Sequence, residues 1–180
     1  MYYAPYPYYG HLPMCNCQRQ NIYQSMQNNP NHYWSRRNDD QWIQLRDHGK
    51  EPYVVNIEQT AEQNHTFRTA IWTGDHLQVT VMSIGIGEDI GLEVHPDTDQ
   101  FLRIEEGHGF VQMGNSRNNL TFERSVREDD AIMVPAGTWH NVTNTGNQAL
   151  KLYTIYAPPE HPFGTVHQTK AEAMAEEENY

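Results

Sequence analysis

The sequence predicts an all-β domain built as a small sandwich or barrel. Three observations carry this. From Phe67 to Tyr156 one short strand-like segment follows another. Gly107, Gly109, Gly114, Gly137 and Gly146 punctuate them. The spacing, roughly eight to twelve residues per strand and turn, suits a sandwich or barrel and not a helix-crossover fold. About ninety residues of such chain can close a small barrel around a cavity.

The elements are read in order. Residues 41–50 (QWIQLRDHGK) read as a short helix or turn ending at Gly49, with Trp42, Ile43 and Leu45 clamping it to the domain. Pro52 to Ile57 reads as an edge strand. Phe67–Trp72 and His76–Ile84 flank Thr-Gly-Asp, a hairpin signal. The strands expected next are Ile90–Val94, Gln100–Glu105, Gly109–Met113, Leu120–Phe122, Ala131–Val134, His140–Thr143 and Leu150–Tyr156. Ala-Pro-Pro-Glu-His-Pro at 157–162 is extended because each residue before a proline is driven out of the helical region. The KAEAMAEEENY end is helix-prone and acidic.

Composition divides the 180 residues into three parts. Residues 1–40 hold seven of the eleven tyrosines with many Asn, Gln and Pro, and few aliphatic side chains from which to build a core. They read as a disordered arm. Residues 41–160 are the barrel with its flanking segment, and 161–180 a short C-terminal extension. A net charge of −11 argues against nucleic acid as partner. No apolar run reaches the length of a membrane span, and the N-terminus lacks the pattern of a secretory signal. A cytoplasmic location is expected. Cys15 and Cys17 are too few for a four-sulfur zinc site and leave the domain without a disulfide.

The chemistry concentrates in two segments about forty residues apart. In Gly91-Leu-Glu93-Val-His95, Glu93 and His95 are two residues apart, so on a strand both point to one face. In Pro135-Ala-Gly137-Thr-Trp-His140, a tight turn presents His140. Two imidazoles and one carboxylate suit a divalent transition metal with open positions: iron, manganese, zinc or nickel. Gln100, sharing its face with Leu102 and Ile104, is the candidate fourth ligand; otherwise it holds a ligand water or orients a histidine. Asp97 and Asp99 read as solvated turn residues, with use as a base the lesser reading. His76 and His108 read as exposed, and His161 and His167 as exposed loop residues, with covering the barrel mouth the lesser reading. Trp139 should point away from His140 and pack outside. No side chain is assigned as catalytic.

These segments resemble the motifs of the cupin superfamily. The second motif, G-x5-P-x-G-x2-H-x3-N, is matched by Pro135, Gly137, His140 and Asn144, with Asp129 or Asp130 in place of its opening glycine. The first, G-x5-H-x-H-x3/4-E-x6-G, is matched with departures. Counting back from Gly107, Glu93 takes the first His position, His95 the second and Gln100 the Glu position. The strings GLEVHPDTDQFLRIEEG, VPAGTWHNVTNTG and KLYTIYAPPEHPFGTVHQTKAEA resemble a bacterial group of single-barrel cupins labelled mannose-6-phosphate isomerase-like. The likeness covers roughly residues 52–172. It implies a double-stranded β-helix (jelly-roll) barrel with a metal at Glu93, His95, Gln100 and His140. Compared with the three-His, one-Glu set usual in cupins, one imidazole becomes a carboxylate and the carboxylate becomes an amide.

The expected function is therefore a metal-binding cupin that binds or acts on a small organic molecule, as an isomerase or oxidoreductase. A sugar-phosphate isomerase would want an interior Lys or Arg, and Arg103 and Lys151 read as outward. The alternative is a non-catalytic structural protein, held in a spore coat through its tyrosine-rich arm. Leu92, Val94 and Phe101 oppose the candidate ligands and would meet solvent in a monomer, so a homodimer packed through one sheet is expected.

Overall fold

The computed structural model describes residues 43–177. The tyrosine-rich arm, its two cysteines and Trp42 lie outside them. Among the described residues, nine strands form two antiparallel sheets. They are β1 (Arg68–Thr73), β2 (Gln78–Ile84), β3 (Asp99–Glu106), β4 (His108–Gly114) and β5 (Phe122–Arg127), then β6 (Ala131–Val134), β7 (Trp139–Asn144), β8 (Leu150–Ala157) and β9 (Val166–His167). The six-stranded sheet runs β6-β3-β8-β2-β1-β9 and the three-stranded sheet β5-β4-β7. The all-β jelly-roll expectation holds. Ile90–Val94 differs: it is an extended segment tied to β7 by bridges at Asp89–Thr143 and Glu93–His140, not a continuous strand.

The core lies between the sheets and follows from alternation. Met82, Ile84, Leu102, Ile104, Leu150 and Leu152 face inward from the larger sheet, and Val111, Val126 and Val142 from the smaller. Hydrogen-bonded register stacks the inward residues of the larger sheet in rows. One row is Gln78, Tyr156, Gln100 and Val134, and the next Ala70, Thr80, Thr154, Leu102 and Ile132. Then come Arg68, Met82, Leu152 and Ile104, and last Ile84 and Leu150. The interior therefore grades from polar at one end to aliphatic at the other.

Three further segments differ from the sequence reading. The strand expected at Leu120–Phe122 begins only at Phe122 and runs on to Arg127 as β5. Pro52–Ile57 does not form a strand. Asn56 instead caps α1 (Ile57–Gln63), its Oδ1 accepting from the Gln59 amide at 3.2 Å. The helix lies on the outer face of the larger sheet, where Ile57 and Ala61 pack with Ile71, Val79, Val81 and Tyr153. Residues 43–50 form no helix; the chain turns at Gly49. The acidic C-terminal stretch does form a helix, α2 (Lys170–Glu177).

Asn144 closes the aliphatic end. Its Nδ2 donates to the carbonyls of Ile84 (2.9 Å) and Gln148 (2.8 Å), and its Oδ1 accepts from the Gly146 amide at 2.9 Å. These bonds join β2, β7 and the turn before β8, which is why the motif carries Asn there. Asn144→Ala would leave the buried Ile84 carbonyl and the part-buried Gln148 carbonyl without this donor. It should lower unfolding free energy by about 1–3 kcal/mol, read from urea denaturation monitored by circular dichroism.

Candidate metal centre

The reciprocal backbone pair between Glu93 and His140 sets the site. Glu93 N–H donates to His140 O at 3.0 Å, and His140 N–H to Glu93 O at 2.9 Å. The turn carrying His140 is held to the other motif as well: Gly137 N–H donates to His95 O at 2.8 Å, and Asp99 Oδ1 accepts from Ala136 N–H at 2.9 Å. Asp99 is exposed as expected, but its carboxylate works as a turn anchor. Gly137 has φ 75°, a left-handed conformation that favours glycine.

Glu93, His95 and His140 converge, with one ligand atom from each within 4.8 Å of the others. His95 Nε2 lies 3.3 Å and His140 Nε2 3.2 Å from the same oxygen, Glu93 Oε1. The tautomers follow from the other ring nitrogens. His140 Nδ1 lies 2.9 Å from Thr138 O, which can only accept, so Nδ1 carries a proton and Nε2 is the atom that would give its lone pair to a metal. His95 Nδ1 lies 3.0 Å from the Glu160 carboxylate. His140 is 0% exposed and its Nε2 makes no aligned hydrogen bond. A fully buried, unpartnered ring nitrogen aimed at a carboxylate and a second imidazole has the arrangement of a metal ligand. The three residues fit a divalent metal. Gln100 is buried on an inward row beside Tyr156, and its Oε1 also has no hydrogen-bond partner.

Comparison with known proteins gives the same fold. The cupin-domain family model, Cupin_2, matches residues 80–156. The chain is 55% identical to the uncharacterized protein YrkC of Bacillus subtilis (strain 168), over 99% of this chain and 100% of YrkC. The crystal structure of BH2720 from Bacillus halodurans is 66% identical, with a TM-score of 0.72 over 73% of this chain and 99% of that one. This chain belongs to the cupin superfamily. TT1209 from Thermus thermophilus, at 20% identity and a TM-score of 0.50 over 58% of this chain and 96% of its own, shares the fold alone.

One departure of this cupin from the family motifs, and one position that keeps to them, have physical accounts. The opening glycine of the second motif is Asp129, which adopts φ 71°. Asp is one of the few other residues that tolerate this conformation, and Oδ1 accepts from Arg103 Nη2 at 2.5 Å. Gly107, which closes the first motif, is at φ 97°, and a Cβ there would stand 3.1 Å from the Ala149 carbonyl.

Several cupin-site residues escape the sequence reading. His161 and His167 are not exposed loop residues: His161 is half-buried, and His167 is 5% exposed. With Glu93, His95, Glu160 and Glu176 they line a cavity of about 600 Å³. Glu160 escapes because the extended 157–162 segment gives no facing pattern. Arg68 escapes because both faces of β1 are covered, so Arg68, Thr69, Ala70 and Ile71 are all buried and alternation is silent. Lys151 does point away from the interior, but α1 covers it and its ammonium donates to Asn64 O. His76 and His108 are exposed, and Arg103 is outward, as expected.

The electrostatics follow from burial. Burial pushes the Glu93 carboxyl up, but the pull of His140 and His95, together with the Arg68 charge, outweighs it and holds Glu93 well below the ordinary range. Burial acts to lower His95, yet Glu160 and Glu93 raise it to about 9. In metal-free protein a protonated His95 therefore stabilises the fold fully below its ordinary value of 6.5, and this contribution is lost as pH rises through about 9. Melting temperature of chelator-treated protein should fall across that window. Glu160→Gln should flatten the fall; an unchanged slope would separate Glu160 from His95.

Proposed function

We propose that this protein is a metal-dependent cupin that binds and transforms a small organic molecule in its barrel. Glu93, His95 and His140 hold the metal, with Gln100 as fourth ligand. The observation that carries this reading is the convergence of two imidazole Nε2 atoms on one buried carboxylate oxygen. A divalent metal there would act as a Lewis acid toward an oxygen-bearing ligand. The chain's own groups do the rest. Glu160 keeps the proton on His95 Nδ1, and the Thr138 carbonyl keeps one on His140 Nδ1. Both rings are thereby fixed with Nε2 inward. Glu160, His161, Pro162 and His167 line one side of the cavity.

Sugar-phosphate isomerase activity, the narrower function implied by the mannose-6-phosphate isomerase-like resemblance, fits the cavity less well. Three carboxylates, Glu93, Glu160 and Glu176, line it, and a phosphate dianion would meet their repulsion.

Metal content tests the main reading. Untagged protein should carry about one divalent metal per chain by inductively coupled plasma mass spectrometry. Glu93→Ala and His140→Ala should lose it, and Gln100→Leu should weaken retention by about tenfold or more. Stoichiometric metal in all three variants would sink the assignment.

The homodimer belongs to the same proposal. On the outer face of the larger sheet, register places Val79, Ile155, Phe101 and Met133 in one apolar row across four strands. Met133 is 63% exposed, while Phe101, Leu92 and Val94 are half-buried. A second copy of the chain laid on this row would cover it. Light scattering should give twice the 20.9 kDa chain mass, and Met133→Glu should shift it toward one chain.

A further inference from the structure

The polar end of the interior holds more polar groups than a metal needs. Thr80 Oγ1, His161 Nε2 and His167 Nδ1 are buried without a hydrogen-bond partner, and Thr154 Oγ1 and Tyr156 Oη have none beyond each other. The three hydroxyls sit on inward positions of adjacent rows of the larger sheet. Tyr156 stands edge-on to both His95 and His161, with ring centroids 5.6 and 5.0 Å apart, so it borders the metal centre. Each buried, unsatisfied polar atom is costly, and several in one place mark a site that binds something with matching groups.

Arg68 belongs to the same place. It is 1% exposed and opposite Met82 and His167 in register. Its charge acts on Glu93, Tyr156 and His161. Among the described residues it is the one Lys or Arg on an inward row of the larger sheet. His161 is held beside the same sheet by Gln78: the Gln78 amide donates to His161 O at 2.9 Å and accepts from His161 N–H at 3.0 Å. Burial pushes the His161 imidazole down to about 3, so it is neutral.

We infer that Arg68, Thr154, Tyr156 and His161 form the recognition site for a small hydroxy- or oxo-carboxylate. The carboxylate faces the Arg68 guanidinium, and the remaining oxygens face the two hydroxyls and His161. A single guanidinium suits a monoanion, and the neighbouring carboxylates discourage a dianion. The histidine and the tyrosine hydroxyl suit hydroxyl and carbonyl oxygens, which need both donors and acceptors. This rests on reading the barrel as a metal-dependent small-molecule site, and it names the chemical class of the molecule.

The test is calorimetric titration of the full chain, metal-loaded and metal-free, with lactate, pyruvate, glucose and inorganic phosphate, metal content being measured on the same samples. Lactate or pyruvate should bind. Arg68→Met should weaken that binding by about tenfold or more while metal content is retained, and Arg68→Lys should recover part of it. Thr154→Val and Tyr156→Phe keep shape and delete one oxygen, so they test the site even if Arg68→Met fails to fold. Each should weaken binding several-fold with metal content retained. A purely structural hydroxyl would leave the affinity of the folded protein for the acids unchanged. The proposal is overturned if glucose or phosphate binds in preference to the acids, if no probe binds metal-loaded protein, or if the Thr154 and Tyr156 variants bind the acids as wild type does. Arg68-dependent acid binding in a protein that takes up no metal would keep this proposal and sink the metal reading alone.

Discussion

The site depends on the pair of backbone hydrogen bonds that Glu93 and His140 exchange. In an antiparallel pairing, residues bonded this way face each other directly and project side chains to the same side. One such bridge therefore brings together two ligands about forty residues apart, and alternation adds His95 to the same face. The flanking links serve this pairing. The Gly137 amide reaches His95 O and the Asp99 carboxylate holds the Ala136 amide, so the two turns cannot slide. A one-residue slip would turn Glu93 and His95 out of the barrel together.

Holding these groups in a buried place requires mutual compensation. An isolated buried carboxylate is expensive, and so is an isolated guanidinium. Glu93, His95, Glu160 and Arg68 offset one another within one end of the interior. The opposite end, around Ile84 and Leu150, is aliphatic and supplies the packing. Stability and chemistry are thus separated along the barrel axis, as expected where unsatisfied polar groups are tolerated for function.

The C-terminal segment completes the cavity, and polar clamps hold it. Asp47 ties both ends together: Oδ2 accepts from Thr73 Oγ1 at 2.6 Å and from Gly164 N–H at 3.0 Å. Gln78 fixes the backbone of His161, and Lys170 reaches Asp89 at 2.5 Å. Residues far from the metal ligands in sequence thereby fix the cavity wall beside them.

The all-β class, most strands, and the set Glu93, His95 and His140 were legible in the sequence, because alternation, glycine spacing and tight-turn chemistry are local properties that survive without knowledge of partners. The same locality explains the failures. Pro52–Ile57 is apolar enough for a strand, yet the Asn56 cap and the covering of Ile71 and Val81 make the next turn of chain a helix. Arg68 lies on a strand buried on both faces, where no pattern distinguishes inside from outside. His161, His167 and Glu160 sit in extended chain whose facing is set by Gln78, Asp47 and β1 rather than by any period of its own. Local covalent and steric rules are written in the order of residues; which buried charges meet is decided when distant strands pair, and only the tertiary structure holds that information.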